Sequence, residues 1–217
     1  MTSRPVTRRR AETQRRVVAA AYDVFAELGI RDAPVELICE RAGFTRGAFY
    51  SNFASKEELF LAVYRTQMAE RADRLRAAVE AAVAGVDPGD PEAVTQVLRQ
   101  AGTLFVESPA ADETWYLLNA EFRAQALRQP ELRASTAAAE REFHDALAAI
   151  LPLLLDRLRM RLTVEPRDAV ITLIALYETM LERAILDELT DTADSPYLTE
   201  VLPRLFAALT APVEERA

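Results

Sequence analysis

Eight consecutive residues carry most of the recognisable chemistry: Thr45-Arg46-Gly47-Ala48-Phe49-Tyr50-Ser51-Asn52. They combine hydroxyls, a guanidinium and an amide around two residues small enough to let a backbone come close. A guanidinium at a helix start can give two hydrogen bonds to a guanine edge, worth about 1–3 kcal/mol of base discrimination. Ser51 and Asn52 have groups that suit bases or sugars, although Asn52 fits an inward structural role equally well. Phe49 and Phe53 read as core. Arg8-Arg9-Arg10 forms a basic cluster suited to phosphates or a minor groove, or simply a solvated face. Lys56, the only lysine, falls in the first turn of a helix, where a cation is disfavoured; a phosphate held there would remove the conflict.

Enzyme chemistry finds little support. One His and one Cys exclude the common zinc patterns, and no metal or cofactor is expected. No phosphate-cradling glycine loop and no Gly-x-Ser-x-Gly nucleophile turn is present. Cys39 reads as a small buried residue.

The elements that must position these residues are helices. Val17, Ala20, Ala21, Val24, Phe25 and Leu28 give one apolar face to a first helix, about residues 10–28, closed by Gly29. A second runs over about 34–42, with Pro34 at its first position and Leu37, Ile38 and Ala42 facing inward. Gly43 supplies the turn, Thr45 the next N-cap, and a third helix covers about 46–53. Two short helices about a glycine turn make a helix-turn-helix, whose second helix lies in the major groove. Ser55-Lys56-Glu57-Glu58 is a capping box opening a fourth helix that reaches about Val83.

At these residues the chain resembles the tetracycline-repressor-like (TetR/AcrR) family of bacterial transcription regulators. The resemblance spans roughly residues 8–64. It is carried by Arg10-Ala11-Glu12-Thr13 through Ala20-Ala21 to Phe25 and Gly29, then Ile38, Ala42-Gly43, Thr45-Arg46-Gly47-Ala48-Phe49-Tyr50, Phe53, and Lys56 leading into Leu59. It implies that Thr45 and Tyr50 donate hydroxyls to phosphates and that Lys56 makes a phosphate contact. Pro34, Cys39 and Ser51-Asn52 depart from the usual pattern; the last pair bears on which operator is read.

Beyond residue 64 only helical layout continues. Further helices are expected at about 91–107, 111–128 and 130–151, with a helical stretch to about Leu162, then about 166–189 and from Pro196 to Pro212. The helix after Pro166 is apolar around much of its girth and must be buried on two sides. Ile174, Leu181, Ile185, Leu198, Leu202, Leu205 and Phe206 are the expected interface of a homodimer, built as a four-helix bundle in the manner of the family. A ligand pocket is expected from Phe105, Trp115, Asn119, Phe122, Arg123, His144, Tyr177 and Met180, of which the apolar members suit ordinary packing as well. His144 follows Glu140 by one turn, a cheap surface pair; Arg123 suits an anionic ligand or Glu121, Glu178 or Glu182.

The net charge of −8 is unevenly spread. Residues 1–65 hold 11 Arg and Lys against 8 acids, a net +3 that leaves −11 on the rest. A basic head on an acidic body orients a molecule toward DNA. Hydrophobic content of 50% and a mean hydropathy of −0.04 suit a folded core, and no apolar run is long enough to span a membrane. The Arg-rich start lacks an apolar stretch behind it, and one cysteine cannot pair internally, so a cytoplasmic protein is expected.

The expectation is therefore an all-α chain of about nine helices. Residues 1–54 form a three-helix DNA-binding domain, the helix over 55–84 is the connector, and 55–217 form a ligand-binding and dimerisation domain. Its partners would be double-stranded operator DNA, a second copy and a small-molecule effector, with no membrane. The expected role is a ligand-responsive repressor on a palindromic operator. The rivals are an activator or a regulator answering to a protein partner, and an all-α ligand-binding module without DNA binding.

Overall fold

The computed structural model describes residues 8–90, 92–94, 96–97, 113–188 and 200–213. Helix α1 (Arg8–Asp32) buries Val17, Ala20, Ala21, Val24 and Phe25 on one face. Gly29 interrupts it at φ 77°, a conformation that costs other residues dearly, and a final turn follows to Asp32. Helix α2 (Val35–Ala42) starts one residue later than expected, because Pro34 sits at its N-cap position. Gly43 at φ 72° ends it, with the Gly43 N–H on Glu40 O (3.1 Å) and the Phe44 N–H on Cys39 O (2.9 Å), the paired bonds of a Schellman cap. Helix α3 (Arg46–Tyr50) is capped by the Thr45 hydroxyl, which accepts from the Ala48 N–H at 3.2 Å. It is shorter than expected; beyond it Asn52 and Phe53 continue as a turn, their N–H groups on Phe49 O.

Helix α4 (Lys56–Val83) opens on the expected box: Ser55 Oγ accepts from the Glu58 N–H at 3.2 Å. The Glu58 carboxylate reaches back to the Ala54 N–H at 2.6 Å. Of the segment expected as a helix over about 91–107, only 92–94 and 96–97 are described, and all five are helical. Helices α5 (Glu113–Arg128), α6 (Pro130–Ala148) and α7 (Leu151–Arg157) follow, then strand β1 (Met160–Leu162), helix α8 (Pro166–Leu186), helix α9 (Leu202–Ala208) and strand β2 (Thr210–Pro212). The strands pair antiparallel, Met160 with Pro212 and Leu162 with Thr210. They correct two expectations, a helical stretch to Leu162 and a helix ending at Pro212. Arg159 takes φ 52°, so α7 stops and the chain leaves extended. The architecture is all-α, with nine helices among the described residues and this one short ribbon. Among those residues no helix is long and apolar enough to cross a membrane.

The chain divides into two units. The first comprises residues 1–67 and 117–139, the second 68–116 and 140–217. In the first, three helices alone would make a small core; the start of α4 and most of α5 enlarge it. Phe60 stacks on Phe122 (centroids 4.3 Å apart) and packs against Phe25 (6.0 Å), all three fully buried. Stacked rings add about 0.5–1.5 kcal/mol beyond their buried area. The second unit has its own core around Leu75, Val79, Leu154, Leu173, Tyr177 and Leu202.

Candidate nucleic-acid interface

Three side chains of α3 and its cap face solvent: Thr45, Arg46 and Tyr50. Phe49, between them in sequence, is fully buried and packs on Phe53 (5.9 Å) and edge-on to Tyr50 (5.1 Å). One face of the short helix thus fixes it in the core while the other presents polar groups. The Tyr50 hydroxyl and the Glu36 carboxylate, 2.6 Å from Arg46, hold that guanidinium in its charged form. Both partners of the Glu36 pair are more than half exposed. Such a pair is worth about 0–1 kcal/mol, less than a bidentate base contact, so Arg46 can exchange it for one. Gly47 is exposed and Ala48 half-buried, leaving the backbone open to approach.

The remaining expected contacts divide. Arg10 is exposed and reaches the far end of the same unit, donating to Ser51 O and to Asn52 Oδ1, both at 3.3 Å. Asn52 donates to Ala48 O at 2.8 Å, so the inward structural role is the one it fills in this structure. Ser51 donates to the same carbonyl at 2.8 Å. Only the side chain of Arg10 is described within the basic cluster; those of Arg8 and Arg9 are outside the described residues.

Lys56 is placed otherwise than expected. Its ammonium donates to the carbonyls of Ile30 (3.0 Å), Arg31 (2.6 Å) and Ala33 (3.1 Å). The cation at a helix start is offset by the carbonyl end of another helix rather than by a phosphate. Two further residues had no signal in the sequence. Glu121 of α5 accepts from the N–H groups of Ile30 and Arg31. Arg16 donates to Ala42 O at 2.9 Å and lies 4.9 Å from the Phe44 ring centroid, bracing the glycine turn. Each connects positions 26 or more apart, beyond the reach of local spacing. Cys39 is buried, and burial, with Glu36 nearby, pushes its thiol up, so it stays protonated.

The second unit encloses an apolar cavity of about 50 Å³ whose walls include Leu75, Val79, Leu154, Leu173, Leu202 and Phe206. None of the expected pocket residues lines it. Phe122 belongs to the aromatic core of the first unit, Arg123 of that unit is exposed, and Asn119 is half-buried there. Phe105 lies outside the described residues. Trp115 is buried beneath the Arg71 guanidinium, 4.6 Å from the ring centroid. Tyr177 and Met180 are core residues, and His144 is half-buried. Of the expected dimer residues, Leu181, Leu202 and Phe206 are buried in the chain's own core. Ile174, Ile185 and Leu205 are half-buried, and Leu198 is outside the described residues. Ile171 (43% exposed) and Leu186 (71%) are what α8 leaves uncovered.

Residues 17–63 match the family described as bacterial regulatory proteins, tetR family. The chain is 44% identical over 52 residues to the HTH-type transcriptional regulator SrpR of Pseudomonas putida, a match covering 24% of each chain. It is 26% identical over 190 residues to the HTH-type transcriptional repressor AcnR of Corynebacterium efficiens, 88% of each. Matches to the first relatives thus span well under two thirds of their length, and the AcnR match most of it. A crystal structure of a TetR-family transcriptional regulator of Mesorhizobium loti superposes with a TM-score of 0.68 at 20% identity, over 93% of this chain and 98% of that one. A helix-turn-helix head with a helical body defines a class of bacterial transcription regulators. Over residues 17–63 the chain carries a regulatory domain of the tetR family.

Proposed function

We propose that this chain is a DNA-binding transcriptional repressor that grips a palindromic operator as a homodimer and releases it on binding a small molecule. What carries the reading is α3 with its cap, where Thr45, Arg46 and Tyr50 are exposed after a glycine turn while Phe49 locks the helix from behind. Arg46 reads a base edge; Thr45 and Tyr50 donate to phosphates; Arg8, Arg9 and Arg10 reach the flanking backbone or minor groove. Ser51 and Asn52 set the end of the reader, and Lys56 acts through the turn it holds.

One short helix in one groove binds weakly. A two-fold pair places two readers about 34–36 Å apart on one face of the duplex. The second copy packs on α8 and α9, against Ile171, Ile174, Ile185, Leu186 and Leu205. An effector in the second unit favours a spacing of heads that no longer fits two successive grooves, with α4, which contributes to both units, as the lever. The small size of the cavity keeps a second reading alive, a regulator switched by a protein partner. Footprinting bound genomic duplexes tests the proposal: two symmetric protected half-sites are expected, and one asymmetric half-site contradicts it.

A further inference from the structure

The first unit carries an open cavity of about 450 Å³ where the last turn of α1, the start of α4 and the end of α5 meet. That volume lies in the range of small-molecule sites, about 300–1,000 Å³. Thr45, Arg46 and Tyr50 are not among its walls, so it is separate from the reader. Its charged walls are Arg31, Lys56 and Arg128 against Glu57 and Glu121, a net +1. The Lys56 ammonium is engaged by three carbonyls, and the Glu121 carboxylate by two backbone N–H groups. Glu57 accepts from the Gln125 amide at 3.1 Å. Two guanidiniums are left over. Arg31 and Arg128 are both exposed, and neither side chain donates to another group among the described residues. Two like charges in the wall of one chamber repel each other, and an anion held between them reverses the sign of that interaction.

We propose that this cavity of the first unit binds a small organic dianion, one oxyanion head on Arg31 and the other on Arg128, with its carbon skeleton against Ile30 and Ala124. Each guanidinium is a planar fork whose parallel N–H groups match the two oxygens of a carboxylate. Two forks in one wall select a ligand with two such heads. The rest of the wall selects a carbon skeleton. Ile30, Ala124 and the methylene stems of Gln125 and Gln129 offer apolar surface that a bare inorganic ion leaves uncovered. The half-buried Gln129 amide adds a neutral donor beside Arg128. The cavity also borders the two side chains, Lys56 and Glu121, that complete the broken turn of α1. A ligand that binds here only when that turn is formed stabilises the first unit against unfolding. This site lies in the unit that carries the reader and does not depend on an effector in the second unit.

The full chain is titrated at constant ionic strength with sodium glutarate, which has two heads, sodium butyrate, which has one, and glutaramide, which has no charge. The melting temperature and the side-chain amide resonances of Gln125 and Gln129 are followed. Glutarate is expected to raise the melting temperature saturably, shift both resonances and bind about ten-fold tighter than butyrate. Glutaramide is expected to do neither. Arg31→Gln and Arg128→Gln are each expected to bring glutarate down to about the affinity of butyrate. Both side chains are exposed and make no bonds to the rest of the fold, so both variants fold, as their melting temperatures without ligand check. Arg74→Gln, at an exposed arginine of the second unit, is expected to change nothing. No saturable response to glutarate, equal affinity for butyrate or glutaramide, or undiminished glutarate binding with Arg31→Gln and Arg128→Gln together overturns the proposal. An equal loss with Arg74→Gln would reduce the effect to net charge and overturn it as well.

Discussion

Glu121 accepts a hydrogen bond from the backbone N–H of Ile30 at 3.0 Å, and its second oxygen takes the Arg31 N–H at 2.8 Å. The same turn has its carbonyls satisfied by Lys56. Two side chains from α4 and α5 therefore complete the polar groups left unpaired where α1 breaks at Gly29. Gly29 is needed there twice over, for its φ of 77° and because an added Cβ would lie 3.2 Å from Glu121 Oε2. Replacing Glu121 by Ala should cost about 1–3 kcal/mol, since hydrogen bonds to a charged group are lost and their buried partner is stranded. Thermal melting and amide exchange at Ile30 and Arg31 read this. Unchanged exchange at both amides would remove Glu121 from the account.

Gly43→Ala should destabilise the first unit by about 1–2 kcal/mol, the cost of placing a Cβ at positive φ. Its φ is 72°, and the new Cβ would meet Arg16 Nη2 at 3.0 Å, disturbing the brace on Ala42 and Phe44. Urea unfolding measures the change. A neutral result would show that the turn tolerates another conformation.

DNA affinity should separate Lys56 from the reader residues. A lost phosphate contact lowers the slope of log affinity against log salt by about 0.9. Tyr50→Ala should do this. Arg46→Ala should weaken specific binding by about 1–3 kcal/mol and relax the preference at one base pair. Lys56→Met should lower the melting temperature and leave the salt slope in place, because its ammonium is engaged by three carbonyls. A slope reduced by one in Lys56→Met would restore it as a phosphate contact.

The helix-turn-helix was legible because its signals are local. Gly43, Thr45 and the Ser55–Glu58 box each act within four residues, and the structure has each doing what its spacing implied. Phe25, Phe49 and Phe53 were legible as core for a similar reason, since helical period places them inward. Contacts across the fold were not. Nothing near Glu121 in sequence points to Ile30, and Arg71 is buried in a helix whose Arg65 and Arg74 are exposed. The pocket expectation sorted residues by type alone: Phe122 is as apolar as any cavity wall, and what its type does not reveal is the stack on Phe60. The β ribbon escaped because three-residue strands carry no period, and a positive φ at Arg159 has no signature in a non-glycine residue.

Acidification should weaken the second unit through His144. Burial lowers its pKa below the ordinary 6.5, helped by Arg167 and outweighing the attraction of Glu140, Glu178 and Asp145. The unfolded chain then takes up the proton first, so stability is fully present above about pH 6.5 and falls as pH drops from there toward the folded value. His144→Gln should flatten the decline in melting temperature between about pH 7 and pH 5.5. Parallel profiles for the two proteins would assign the acid sensitivity elsewhere.

The most direct test of the central claim is selection of duplexes from a random-sequence pool by the purified chain, repeated with Arg46→Ala and Tyr50→Phe together. The account predicts enrichment of one two-fold symmetric sequence whose half-sites are about one helical turn, or a multiple, apart. It also predicts that the double variant, equally well folded, loses that enrichment. No enriched sequence, or the same enrichment by both proteins, would contradict it.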